Sequence, residues 1–142
     1  MTRPQRRRAP DDFGCPRCYG DDAEHAWAFY EDGLVVEREL AGEPHFIVQL
    51  RRCADCGQQF VWVFSESVDW EGGEDAQHRS VVPISEDEAQ ALEHLGGLVE
   101  AESLAALGAG RRYLVTDWPK GAEHATIDWS TGGLRLRSGR LR

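Results

Sequence analysis

With 142 residues, 41% of them hydrophobic and 29% charged, the chain has room for one compact domain with appendages and for only a modest core. It contains no apolar run of about 18 residues, so no transmembrane helix is expected. Arg3, Arg6, Arg7 and Arg8 precede residue 9, Arg135, Arg137, Arg140 and Arg142 follow residue 134, and all 25 acidic residues lie between, which leaves residues 9–134 with 8 basic residues and a formal charge of −17. Such a body repels a phosphate backbone, because nucleic-acid affinity is dominated by cation contacts, and no specific nucleic-acid partner is expected.

Residues 1–12 carry two prolines and four arginines without periodicity and read as a disordered basic arm. No apolar stretch follows the arginines, so the arm is not a secretory signal and a cytoplasmic location is expected. There, paired cysteines stay reduced. Lys120 is the one lysine beside 15 arginines. With abundant Ala and Gly, that bias fits a GC-rich bacterial genome, so the arginines do not by themselves indicate phosphate binding.

Residues 13–65 hold four cysteines and four strand-like stretches, at 26–30, 34–40, 45–52 and 59–64, with turns at Asp32-Gly33 and Gly42-Glu43-Pro44. Trp27 and Trp62 are expected in the core of this segment. Residues 66–84 read as an acidic linker. Within it Glu66, Asp69, Trp70, Glu71, Glu74 and Asp75 surround Gly72-Gly73, a candidate partner contact with Trp70 as the anchor. The plainer reading is a solvated loop. The stretch lacks the spacing of a calcium loop.

Residues 85–137 read as an α+β segment packed with the preceding one. Ser85 and Glu88 form a capping box, and three acids face the positive helix end. Ala89, Leu92 and Leu95 share one face, and Gly96-Gly97 stops the helix. A second helical piece covers 98–107. Strands follow at 111–118, 124–129 and 134–137, with Trp118 and Trp129 expected to pair across a hairpin. Residues 138–142 form a basic tail.

The cysteines follow C-x2-C-x34-C-x2-C: Cys15 and Cys18, then Cys53 and Cys56. A two-residue spacer turns both sulfurs of a pair toward one point, and two pairs give the tetrahedral four-sulfur shell that zinc prefers. Iron suits the same donors. Gly57 supplies the positive φ that the second turn needs. A shell of four thiolates around a divalent ion carries a net charge of −2, and Arg17, Arg51 and Arg52 are placed to offset it.

Cys15-Pro16-Arg17-Cys18 and Cys53-Ala54-Asp55-Cys56-Gly57 resemble the two knuckles of the zinc-ribbon group of folds, over residues 13–65. The resemblance implies β-hairpins around one structural zinc ion. Tyr19 stands where the first knuckle often has Gly, and the 34-residue spacer must hold an additional strand pair. The expected fold is α+β: zinc-ribbon hairpins, a central helical pair and a C-terminal β-meander.

Four cysteine ligands close the shell and disfavour a catalytic metal. His25, His45, His78, His94 and His124 show no ligand spacing, and no GxSxG, P-loop or GxGxxG occurs. A non-enzymatic, zinc-stabilised protein-interaction module is therefore expected, its acidic surface meeting a basic one. An immunity or antitoxin protein covering a nuclease is one form of it. Association with nucleic acid or the transcription machinery is the alternative, supported by the terminal arginines.

Overall fold

The computed structural model of the chain describes residues 13–67, 76–95, 104, 107, 110–119 and 123–132. Their elements run α1 (Ala23–Gly33), β1 (Leu34–Glu43), β2 (Phe46–Cys53), β3 (Gln59–Ser67), β4 (Ala76–Ile84), α2 (Glu86–Leu95), β5 (Tyr113–Trp118) and β6 (Thr126–Ser130). The six strands form one antiparallel sheet in chain order. The class is α+β. No helix among the described residues is long and apolar enough to cross a membrane.

The stretch 26–30, expected as a strand, lies inside α1. Asp22 accepts from the amides of Glu24 and His25, satisfying two donors that a helix start leaves without partners. Ala26, Tyr30 and Gly33 are the buried positions, a spacing of three and four residues that belongs to a helix. This periodicity and the cap outweigh the β-propensity of Trp27, Phe29 and Tyr30. Asp32-Gly33, expected as a turn, closes α1, and Leu34 starts β1 at once.

Residues 76–84, expected within a linker, are β4, paired with β3 on one side and with β5 on the other. The run Val81, Val82, Ile84 is buried because the sheet is covered on both faces there, which removes the alternation that marks a half-exposed strand. Pro83 lies opposite Phe60, beyond the residues that β5 pairs. Its missing N–H therefore leaves no ladder bond unmade.

Each face of the sheet has its own core. On one, Phe46, Val48, Leu50, Val61 and Val63 meet Ala89 and Leu92 of α2 and the buried Leu104 and Leu107. On the other, Phe60, Val81 and Leu114 meet Ala26 and Tyr30 of α1 together with Cys18 and Cys53. The rest of 98–107, the strand expected at 134–137, the arm 1–12 and the tail 138–142 lie outside the described residues. Trp118 and Trp129 do not pair: Trp129 faces Leu114 and Trp118 faces Gln77. The β5–β6 ladder ends at Asp117 and Thr126, so Trp118 has already passed the last pair.

The capping box is formed. Ser85 N–H donates to Glu88 Oε1 at 2.8 Å and Glu88 N–H to Ser85 Oγ at 3.1 Å. Glu88 also accepts both ends of the Arg111 guanidinium at 2.7 Å, and Arg111 donates to Pro83 O at 2.7 Å. Burial pushes the Glu88 carboxyl up, but the Arg111 and Ser85 bonds outweigh it and hold the carboxyl below its ordinary value. Glu88 thus adds stability above the usual carboxylate range and loses it only as pH falls through the lowered value. Glu88→Gln should destabilise the fold by about 2 kcal/mol at neutral pH. Denaturant midpoints measured down the pH scale should show the gap between variant and wild type closing only at acidic pH.

Candidate metal centre

Two turns, one on each side of α1 and the β1–β2 hairpin, bring the four sulfurs together. In the first, Tyr19 N–H donates to Cys15 O at 2.8 Å and Cys15 N–H points at Cys18 Sγ at 3.2 Å. In the second, Gly57 N–H donates to Cys53 O at 2.9 Å, and Cys53 N–H donates to Gln58 O at 2.8 Å, closing the turn between β2 and β3. Gly57 has φ +82°, as expected, and Gly14 before the first pair has φ +71°. A Cβ on Gly14 would lie 2.6 Å from Cys18 Sγ, so the first turn needs glycine for its backbone and for its space.

The sulfur atoms of Cys15, Cys18, Cys53 and Cys56 all lie within 4.8 Å of one another. Cys15 Sγ is 3.7 Å from Cys18 Sγ and 4.0 Å from Cys53 Sγ, and Cys18 Sγ is 3.7 Å from Cys56 Sγ. These separations are far beyond a disulfide bond of about 2.05 Å. Four sulfurs each about 2.3 Å from a central ion at tetrahedral angles lie about 3.8 Å apart. The donor set therefore fits a metal ion. Burial pushes the Cys18 thiol well up and the Cys56 thiol up to about 11. Burial also acts upward on Cys15, but backbone N–H groups of Cys18 and Arg17 bring it below its ordinary value.

The surroundings tie the first turn to the sheet. Gln58 is 7% exposed, and its side chain is engaged at both ends. Its Oε1 accepts from Gly14 N–H at 3.2 Å, and its Nε2 donates to Gln59 O and Ile84 O at 2.8 Å. Tyr30 donates its hydroxyl to Cys18 O at 2.6 Å, and burial raises its phenol so that it remains a donor. Ala54 N–H donates to Gly33 O at 2.8 Å, tying the end of α1 to the second turn. Tyr19 and Trp129 meet edge to face with ring centres 5.3 Å apart. Arg112 lies over both, 4.1 and 4.0 Å from their ring centres, and donates to Tyr19 O at 2.7 Å.

The arginines expected to offset the sulfur charge make other contacts. Arg17 meets Asp55 at 2.8 Å, a clip from one turn to the other. Arg52 meets Glu37 at 2.6 Å and Gly57 O at 3.0 Å. Arg51 lies over the Trp62 ring, 4.2 Å from its centre. The first turn leads into α1 rather than a strand, so only the second is the hairpin turn that the ribbon resemblance implies. Trp27 and Trp62 are half-buried against the core on the α1 face.

Of the candidate partner residues, Glu66 is described. It is turned into a contact with His45 Nδ1 at 2.8 Å and accepts from Gln77 at 3.0 Å. Asp69, Trp70, Glu71, Glu74 and Asp75 lie outside the described residues. Sequence reasoning missed Gln58 and Tyr30. Only the Asp22 cap and the Ala26–Tyr30 spacing pointed to Tyr30, and Gln58 carries no sequence signal beyond its place after Gly57. Comparison of the chain with family models, with curated proteins and with solved structures gives no match.

Metal binding to such a site contributes on the order of 10 kcal/mol, more than most domains have in total stability. Protein purified under reducing conditions should carry close to one equivalent of metal by elemental analysis. The double variant Cys53→Ser/Cys56→Ser should lose both the metal and cooperative unfolding. Gly14→Ala should keep the ligands but bind the metal more weakly, read by competition with a chromogenic chelator.

Proposed function

We propose that this chain is a non-enzymatic, zinc-stabilised protein-interaction module whose acidic body meets a basic surface on its partner. The observation that carries this reading is the closed character of the metal centre. Four thiolates occupy every position that a tetrahedral ion offers, two of the ligands are buried in a core cluster, and a substrate would have to displace a ligand to reach the ion. Zinc is the ion that best suits this role, since it holds tetrahedral sulfur shells without redox chemistry.

The charge distribution supports a basic protein partner. A formal −17 over residues 9–134 produces a field that attracts cationic surfaces, speeds encounter with them and turns polyanions away. A nuclease whose basic active site is covered by an acidic inhibitor is one such partner. Nucleic-acid association is the competing reading, and it rests on the two arginine-bearing ends.

The two readings separate in a titration of labelled DNA and RNA at physiological salt. The proteins compared are the full chain and a variant with the arginines at 3, 6, 7, 8, 135, 137, 140 and 142 changed to Gln. The full chain should bind weakly, with a strong salt dependence, and the variant should not bind. Submicromolar binding that survives the eight substitutions would overturn the acidic-module reading.

A further inference from the structure

Among the described residues, helix α1 and the metal centre pack on Phe60, Val81 and Leu114 of their face of the sheet. On the same face, Arg51 on β2, Trp62 and Phe64 on β3, and Arg79 on β4 form a partly buried strip, with Phe64 buried and Arg51, Trp62 and Arg79 half-buried. These side chains share one face because Arg51 stands opposite Phe60, Gln49 opposite Trp62, and Phe64 opposite Arg79. They form a stack. Arg51 lies over Trp62 at 4.2 Å, Arg79 lies over Phe64 at 4.8 Å, and the two rings are 14° from parallel with centres 6.4 Å apart.

The two arginines are set apart by their partners. Arg17, Arg38, Arg52, Arg111 and Arg112 each lie within 4.0 Å of a carboxylate oxygen. Among the described residues Arg51 and Arg79 have no such partner, in a body where acids outnumber bases threefold. Arg51 donates to Gln49 Oε1 through Nε and Nη2, at 3.0 and 2.7 Å, and keeps its remaining donors. Arg79 feels Glu66 only at longer range, and Glu66 itself is engaged by His45 and Gln77. Both guanidiniums are half-buried, and burial pulls each below its ordinary pKa without discharging it. Half-buried, stacked guanidiniums with donors to spare are the usual receptors of carboxylate and phosphate forks.

We infer that this strip docks a carboxylate-bearing segment of the basic-surfaced protein partner, with Arg51 and Arg79 each taking one carboxylate. The inference rests on the interaction-module reading above and adds where the partner is held and by what chemistry. A nucleobase fits less well. Each ring already carries a guanidinium over the face on which a base would stack, and Phe64 is 9% exposed. A phosphate chain would also extend beyond the strip into the field of the acidic body. The two arginines stand one strand to either side of β3 and four residues apart along it, and each leans over a ring between them, so their guanidiniums are at most about 15 Å apart. Carboxylates up to four residues apart on an extended chain, about 14 Å, fall within that distance. A partner rich in lysine or arginine would be drawn by the acidic body, and its few carboxylates would then set its register.

The test uses the full, metal-loaded chain and three labelled probes at physiological salt. The first is a twelve-residue peptide of zero net charge with two aspartates four positions apart among lysines. The second is the same peptide with both aspartates replaced by asparagine. The third is oligothymidine of twelve nucleotides. The aspartate peptide should bind saturably, quench Trp62 emission, and bind at least tenfold more tightly than the asparagine peptide. Arg51→Gln/Arg79→Gln, with its metal content and circular dichroism unchanged, should lose at least tenfold toward the aspartate peptide. Arg51→Lys/Arg79→Lys should recover little of that, because an ammonium cannot form the planar fork. Equal affinity for both peptides, or affinity untouched by the Gln substitutions, would overturn the assignment of this strip and leave the acidic-module reading standing. Oligothymidine bound more tightly than the aspartate peptide, and released by the Gln substitutions, would overturn both.

Discussion

Four cysteine sulfurs converging on one point, at the spacing that holds a metal ion, are the constraint on which the rest of this structure depends. They join turns 38 residues apart in the chain, and α1, β1 and β2 are strung between those turns. With the ion in place the sulfurs share a divalent charge at the distances that their backbones already impose. Without it, the buried Cys18 thiol and the Cys56 thiol favour the protonated form, and no bond through an ion joins the two turns. The helix between the turns is short, and 11 residues are marginal as an isolated helix in water. Its position depends on Tyr30 and Ala26 reaching the sheet, which the first turn makes possible.

The polar ties around the ion make the junction specific. A buried amide side chain left without partners is costly. Gln58 avoids this only when Gly14, Gln59 and Ile84 are all in place, and these belong to the first turn, β3 and the end of β4. Arg111 does the same for the other face. It joins α2 to the end of β4 and lies 5.2 Å from the centre of the Phe13 ring, two residues before the first ligand. The cores on the two sides of the sheet are therefore coupled through residues 83–84 and 111–113, although their apolar side chains never mix.

How much of this was legible in the sequence depends on how local the determining physics is. The cysteine cluster and the capping box were legible, because two-residue cysteine spacers and a Ser-x-x-Glu start are short-range patterns with one favoured geometry. The strands at 34–40, 45–52 and 59–64 were legible from their β-branched and aromatic content. The strand at 26–30 was misread, because Trp27, Phe29 and Tyr30 favour strands and only the Asp22 cap and the Ala26–Tyr30 spacing spoke for a helix. β4 was hidden by the acids that precede it and by burial on both faces, which erased its alternation. The Arg51–Trp62–Phe64–Arg79 stack was out of reach, since it is assembled by strand register across three strands. The net charge likewise drew attention to the acids and away from the two arginines that have no carboxylate beside them among the described residues.

In the proposed reading an acidic body, a closed metal centre and an arginine–aromatic strip divide the work of recognition: the first sets the long-range attraction, the second the rigidity, and the third the register. The rigidity depends on a metal holding α1 against the sheet. The most direct measurement is amide hydrogen exchange on the full chain before and after removal of the metal by a chelator under reducing conditions, with metal content recorded in the same samples. If the ion is the staple, the amides of Tyr19, Cys53, Ala54 and Gly57 and those of α1 lose their protection when it leaves. Unchanged protection of these amides in metal-free protein would contradict the dependence of the fold on the four-sulfur site.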